Sequence, residues 1–277
     1  LSDDLMLLKI SHLTKYRFDQ PVHYALQQLR LMPRSGVGQN VNRWDVTVDG
    51  GVKELEFDDQ FNNHAMLVNI DPGQTEISIT CEGEVETTDL HGIIGQNYGF
   101  APLWFFLRST PLTQAGSGVQ KLIKQIGRDS YDTEVTMMHA LSRLIGEIVP
   151  YQTGETHSET TAEEALAAHN GVCQDHAHIF ISTVREMGFP ARYVSGYLMM
   201  NDRIDQEATH AWAEAYIPDI GWVGFDVSNG ISPDDRYIRV ATGLDYKDAA
   251  PISGLSIGNG TGSMGESMDV SIQVQQQ

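Results

Sequence analysis

Three residues of different types could together perform nucleophilic catalysis: Cys173, His210 and Asp226. A cysteine nucleophile needs a thiolate, a base that holds and returns the proton, and a group that fixes the tautomer of the base. Cys173 stands directly before a helical pattern of apolar residues, which ends at Gly188 and Pro190. The free N–H groups and the dipole at the start of such a helix favour a thiolate.

His210 and Asp226 fall on two segments that the sequence predicts as a β-hairpin around a Pro-Asp-Ile-Gly turn. Apolar residues alternate along both segments, and one register brings them together: Ala211 with Val227, Ala213 with Phe225, and Ala215 with Val223. In this register Asp226 lies diagonal to His210 on the same face, about 7–8 Å away at Cα. An aspartate could therefore orient the histidine, which could serve Cys173.

Two further histidines, His176 and His178, follow Cys173 closely and raise the alternative of a metal site. On a helix, residues i and i+2 point about 200° apart, so the two imidazoles cannot chelate one ion. We therefore predict neither a metal site nor a cofactor. Asp175 lies in the first turn of the helix, where the helix dipole stabilises a carboxylate, and we predict a structural role for it.

The elements that must position these residues divide the chain at about residue 110. Residues 1–110 contain several short alternating strands separated by turns, which predicts a β-sandwich-like domain with Cys81 as a small core residue. Residues 111–277 combine four helical patterns with strands, which predicts an α+β core. We expect a flexible loop at residues 254–264 and a last strand at residues 269–275.

The chain has 277 residues, of which 41% are hydrophobic, so it can form a substantial core. Its formal net charge of −19 argues against nucleic acid and anionic membrane surfaces as partners. Two cysteines form neither a disulfide framework nor a CxxC cluster, which favours a reducing, cytoplasmic location. No long apolar run predicts a transmembrane helix, and no signal peptide is visible.

Three motifs resemble the transglutaminase-like superfamily, in particular its bacterial branch assigned as cysteine proteases. They are Gly-Val-Cys-Gln-Asp at 171–175, His-Ala-Trp-Ala-Glu at 210–214 and Gly-Trp-Val-Gly-Phe-Asp at 221–226. The core resemblance spans about residues 117–245. Residues 10–33 also resemble the β-rich domain that precedes the core in that branch.

The resemblance implies a papain-like α+β core in which Cys173 is the nucleophile, His210 the base and acid, and Asp226 the orienting acid. The backbone N–H of Cys173 would be one oxyanion donor, and a second donor is not identified. Four residues are predicted to contact a peptide or amide substrate: Tyr151, Gln174, Tyr197 and Trp212.

The acceptor of the acyl group decides the reaction. Attack of a thiolate on an amide gives a thioester, from which water yields hydrolysis and an amine yields cross-linking. Calcium-dependent animal transglutaminases carry extra domains and acidic calcium loops, for which this chain has no obvious match. We therefore expect an amide or peptide hydrolase, with protein cross-linking and a non-catalytic binding module as alternatives.

Overall fold

The computed structural model describes residues 5–96, 100–200, 204–206, 208–257 and 266–276. Strands dominate the first part of the chain: β1 (Leu5–Phe18), β2 (Tyr24–Met32), β3 (Gln39–Asp49), β4 (Gly51–Asp58), β5 (His64–Ile70), β6 (Glu76–Thr88) and β7 (Ile93–Gly95). Two short 3₁₀ turns, Leu103–Leu107 and Pro111–Thr113, then lead to the helices.

The second part of the chain mixes helices and strands. Its helices are α1 (Ser117–Ile126), α2 (Glu134–Ile148), α3 (Ala162–Ala168), α4 (Cys173–Glu186) and α5 (Tyr246–Ala249). Its strands are β8 (Ala191–Leu198), β9 (Asp205–Gln206), β10 (His210–Ile217), β11 (Gly221–Phe225), β12 (Tyr237–Gly243), β13 (Ile252–Ile257) and β14 (Glu266–Gln276). Among the helices of the described residues, none is both long and apolar enough to span a bilayer.

The N-terminal domain is a pair of antiparallel sheets. One has the order β3-β6-β1-β14-β9 and the other the order β13-β2-β5-β4. Alternate residues of β1, β2, β5 and β6 are buried, as expected for sheets that each cover one apolar face. Cys81 lies fully buried in the cluster between them, where burial raises the pKa of its thiol to about 12. The predicted β-rich N-terminal domain is confirmed.

Each domain contains strands from both sides of the division predicted at residue 110. The last strands, β13 and β14, return to pair with β2 and β1, whereas β7 joins the sheet of the second domain. Residues 254–257 belong to β13 rather than to the predicted loop, and residues 258–264 lie outside the described part of the chain. The predicted last strand is confirmed as β14.

The second domain is built on a sheet with the order β12-β8-β10-β11-β7. Two of the three predicted hairpin pairs form, Ala213 with Phe225 and Ala215 with Val223. The third does not, because β11 ends at Phe225 and Asp226 bridges instead to Ile231. The predicted register is therefore correct, but the ladder stops one residue before the aspartate.

Helix α4 packs against the face of β10 that carries the alanines. Its apolar residues, Phe180 and Ile181 among them, share one buried cluster with Ala211, Ala213 and Ala215. Phe180 stacks on Phe225 with ring centroids 5.0 Å apart. Because small side chains line the strand, the helix axis can approach the sheet closely. Full burial of each large apolar side chain in this contact stabilises it by about 1.5–3 kcal/mol.

Amide side chains of the N-terminal domain hold the edge strand β12. Gln39 exchanges two hydrogen bonds with the backbone of Arg239, at 2.8 and 2.9 Å. Asn63 forms a matching pair with the backbone of Thr242, at 2.7 and 2.8 Å. Side-chain amides thereby satisfy backbone groups at these two positions, which fixes the N-terminal domain against the sheet of the second domain.

A methyl group at Gly196 is expected to destabilise the fold. Gly196 lies opposite His210 in the ladder, and a Cβ there would overlap the carbonyl oxygen of Ile238 and lie 2.8 Å from Trp212. We expect Gly196→Ala to lower the free energy of unfolding by about 1–3 kcal/mol, measured by urea denaturation. Gly36→Ala, where the added carbon meets open space, is the control. Equal stability of the two variants would contradict the packing described.

Candidate active site

Asp175 caps the helix that begins with Cys173. Its Oδ2 accepts the backbone N–H of Val172 at 2.8 Å and the hydroxyl of Thr156 at 2.7 Å. Burial raises the pKa of this carboxyl group, while the hydrogen bonds from Val172 and Thr156 act in the opposite direction. Asp175 thus has the structural role predicted for it, and it fixes the helix end at which the partly buried Cys173 stands.

His210 and Asp226 form a buried hydrogen bond of 2.6 Å between Nε2 and Oδ2. His210 opens strand β10, and Asp226 follows directly after β11, so the hairpin positions both side chains. Only 7% of His210 and none of Asp226 is exposed to solvent. The diagonal contact predicted from the register therefore exists, in surroundings where electrostatic interactions are weakly screened.

Two further side chains hold the carboxylate of Asp226. Its Oδ2 also accepts hydrogen bonds from the amide of Asn229 and the hydroxyl of Tyr237, both at 2.7 Å. Burial would raise the pKa of Asp226, but the charge and hydrogen bond of His210, with those of its other partners, lower it overall. Asp226 is therefore ionised and fixed in one orientation at neutral pH.

The environment of His210 favours its protonated form. Burial alone would lower the pKa of the imidazole, but the charge of Asp226, its hydrogen bond and the hydrogen bond and charge of Cys173 raise the pKa to about 10. Because Nε2 faces Asp226, Nδ1 is the nitrogen that remains for Cys173. The arrangement can place a protonated imidazole between the sulfur of Cys173 and the carboxylate of Asp226.

The two histidines that follow Cys173 have other partners. His176 bonds through Nε2 to the carbonyl of Val149 at 2.7 Å and through Nδ1 to the hydroxyl of Ser228 at 2.8 Å. His178 is fully buried, and its Nε2 accepts the backbone N–H of Tyr246 at 3.2 Å. Burial lowers the pKa of both imidazoles. No group of three metal-ligating side chains occurs within the described residues.

Tyr151 and Gln174 lie beside the segment that leads to Cys173. The backbone around Tyr151 pairs with Gly171 through a parallel bridge, and the Tyr151 side chain is 55% exposed. Gln174 is partly buried and donates through Nε2 to the carbonyl of Ser158 at 3.1 Å. Both positions are compatible with contacts to a substrate, and their predicted binding role stays a prediction.

The two other residues predicted to contact substrate are buried. Tyr197 is buried between the domains, where its hydroxyl bonds to His12 at 2.8 Å and its ring packs on Trp44. Its neighbours are core residues of the N-terminal sheet and of β12, and its predicted contact with substrate stays a prediction. Trp212 is buried behind His210, with its ring stacked on the imidazole at 6.3 Å, and its predicted contact with substrate also stays a prediction.

Two residues that hold Asp226 were not predicted. Asn229 could have been found, because Asn-Gly at 229–230 indicates a tight turn that returns the chain to Asp226, and Gly230 has a φ of 67°. Tyr237 gives no comparable signal. It reaches Asp226 from strand β12, which is separated from the hairpin by β8 in the sheet order.

Comparison with protein families gives two matches, one in each of the two domains. Residues 120–227 match the model of the transglutaminase-like superfamily core. Residues 8–86 match the model of the bacterial transglutaminase-like N-terminal region. The first match includes Cys173, His210 and Asp226, and the second covers most of β1 and β6 and all of β2 to β5.

Similar proteins of nearly the same length occur in mycobacteria. The uncharacterized protein ML0607 of Mycobacterium leprae (strain TN) is 27% identical over 266 residues, which cover 91% of this chain and 94% of the relative. The uncharacterized protein Rv2569c of Mycobacterium tuberculosis H37Rv is 27% identical over 291 residues, which cover 96% and 91%. A crystal structure from Cytophaga hutchinsonii, named a putative cysteine protease, has a TM-score of 0.79 at 21% identity, covering 99% of this chain and 91% of that one.

The pKa of His210 provides a direct test of the site's electrostatics. We expect the imidazole to titrate near pH 10 in the intact protein, and Asp226→Asn to lower its pKa by about 1–3 pH units, because the aspartate charge is the largest influence that raises it. Tyr237→Phe retains that charge and should have a smaller effect. NMR titration of labelled histidine measures both. An unchanged His210 pKa in Asp226→Asn would contradict the ion pair between His210 and Asp226.

Proposed function

The chain belongs to the transglutaminase-like superfamily, and from this premise we propose that it is a cysteine-dependent hydrolase of amide or peptide bonds. The observation that carries the proposal is the buried hydrogen bond of 2.6 Å between His210 and Asp226, with Cys173 among the groups that act on the imidazole. A nucleophile, a base and an orienting acid are the three parts that such chemistry needs.

In the proposed first half-reaction, the Cys173 thiolate attacks the carbonyl carbon of an amide and forms a C–S bond. The carbonyl oxygen takes up negative charge, and the backbone N–H of Cys173 at the start of α4 would stabilise it as one oxyanion donor. When the tetrahedral intermediate collapses, the C–N bond breaks and His210 gives its proton to the leaving amine. The product is an amine and a thioester on Cys173.

In the second half-reaction, His210 accepts a proton from water, whose oxygen attacks the thioester carbonyl. The C–S bond then breaks, which releases a carboxylic acid and restores the thiolate beside a protonated imidazole. Asp226 remains ionised throughout and keeps Nε2 of His210 bonded to it, so that Nδ1 faces the sulfur in every step. The role of Asp226 is therefore orientation and charge stabilisation rather than proton transfer.

Water is the proposed acceptor, and the name of the similar Cytophaga structure, a putative cysteine protease, supports this choice. Amine transfer uses the same thioester and differs only in the second half-reaction. An assay that offers a primary amine with the substrate separates the two, because hydrolysis gives mainly the acid and transfer gives mainly the new amide. Predominant formation of the new amide would replace hydrolysis by transfer as the function.

Loss of the thiol is expected to abolish the activity. In a screen of peptides and simple amides, Cys173→Ala should reduce the rate of hydrolysis of any accepted substrate by at least about a thousandfold. A peptide-like chloroacetamide should alkylate Cys173 in the wild type and should react much more slowly in His210→Ala. Cys81 is the internal control, because it is fully buried.

Two results would contradict the proposal. One is full hydrolytic activity in Cys173→Ala, since no other nucleophile is proposed. The other is a folded wild-type protein in which the chloroacetamide labels Cys173 no faster than it labels Cys81. The first result would place the hydrolysis on a group other than Cys173, and the second would favour a binding module on the same fold.

A further inference from the structure

A cavity of about 240 Å³ lies between the N-terminal domain and the catalytic sheet. On the sheet side, Trp212 and Glu214 line it, and both alternate along β10 with the alanines that contact α4. The cavity is therefore on the face of the sheet that is turned away from α4. On the other side it is lined by residues 34–39 and 60–63 of the N-terminal domain.

One carboxylate and two guanidinium groups line the sheet side of the cavity. Glu214 accepts Nε of Arg192 at 2.5 Å and Nε and Nη2 of Arg239 at 2.9 and 3.3 Å. Burial lowers the pKa of Arg192 to about 10, which leaves it charged at neutral pH. Burial would raise the pKa of Glu214, but the two arginine charges lower it overall, so it is ionised. The cluster carries a net positive charge.

The hydrogen-bonding capacity that remains in the cavity consists largely of donors. Both oxygens of Glu214 are occupied, and the other lining carboxylate, Asp234, is paired with Arg236. Within the described part of the chain, Arg192 donates only through Nε, so its two terminal nitrogens are left for another acceptor. Nε of Arg34, which also lines the cavity, is buried with no partner in that part of the chain. Such a surface is complementary to an anion.

The remaining walls mix polar side chains, among them Gln60 and Asn62, with apolar ones. Phe61, Phe106 and Trp212 contribute aromatic surface to the cavity. The guanidinium of Arg192 lies 3.9 Å from the ring centre of Trp222, which fixes its plane. A cavity of about 150 Å³ can hold benzene, so this cavity has room for one ring and a carboxylate. The shape and chemistry fit a small organic acid with an apolar body.

The cavity adjoins the groups that hold the catalytic pair. Trp212 stacks on His210, and its edge packs on Tyr237 with ring centroids 5.5 Å apart. Tyr237 also lines the cavity and donates its hydroxyl to Asp226 at 2.7 Å. We propose that this cavity is an effector site for a small organic carboxylate, which Arg192 and Arg239 bind and which acts on the reactivity of Cys173 through Trp212 and Tyr237.

Binding is tested with benzoate and its neutral analogue benzamide, by isothermal titration and by tryptophan fluorescence. Benzoate should bind saturably and benzamide at least about tenfold more weakly, because only benzoate carries the charge. Arg239→Gln leaves Arg192 to pair with Glu214, and it should weaken benzoate binding by at least about tenfold. The matched control is Arg43→Gln, whose arginine pairs with Glu84 on the surface and lies outside the cavity.

Coupling is tested by the rate at which iodoacetamide alkylates Cys173. Saturating benzoate should change this rate by at least about fivefold in the wild type and in Arg43→Gln, and far less in Arg239→Gln. Absence of saturable benzoate binding, equal binding of benzamide, or unchanged binding in Arg239→Gln would overturn the proposal. So would saturation that leaves the alkylation rate unchanged. None of these measurements needs turnover, so they are independent of whether the enzyme is a hydrolase.

Discussion

The contact between α4 and the alanine face of β10 is the constraint on which the active site depends. Cys173 starts the helix and His210 starts the strand, so the distance between helix and sheet sets the distance between sulfur and imidazole. Alanines at 211, 213 and 215 keep that distance short. Larger side chains there would move the helix outward, since a packed core has little room to absorb added volume.

The opposite face of the same strand carries charge. His210 pairs with Asp226, and Glu214 pairs with Arg192 and Arg239. All of these side chains have little access to solvent except Arg239, whose side chain is 33% exposed. Buried charges are costly unless each is paired and hydrogen-bonded, and here each carboxylate has at least three hydrogen bonds. One strand thus separates an apolar contact that positions Cys173 from polar contacts that orient and charge the imidazole of His210.

Local patterns in the sequence predicted much of the site. Apolar periodicity located α4, and the alternating hairpin gave the diagonal between His210 and Asp226. Contacts between segments far apart in the sequence leave no periodic pattern from which they could be predicted. The partner strands of β13 and β14, the burial of Tyr197 against His12, and the reach of Tyr237 to Asp226 belong to that class. The cytoplasmic location, inferred from cysteine usage alone, stays a prediction.

The central claim is that Cys173 becomes acylated during turnover. It is tested most directly by quenching the protein in acid during reaction with an activated amide or ester and weighing it by intact-protein mass spectrometry. We predict an increase equal to the acyl group, mapped by proteolysis to the peptide that contains Cys173 and removed by hydroxylamine, as expected for a thioester. Steady hydrolysis with no adduct on Cys173, or with the acyl group on another residue, would contradict the account.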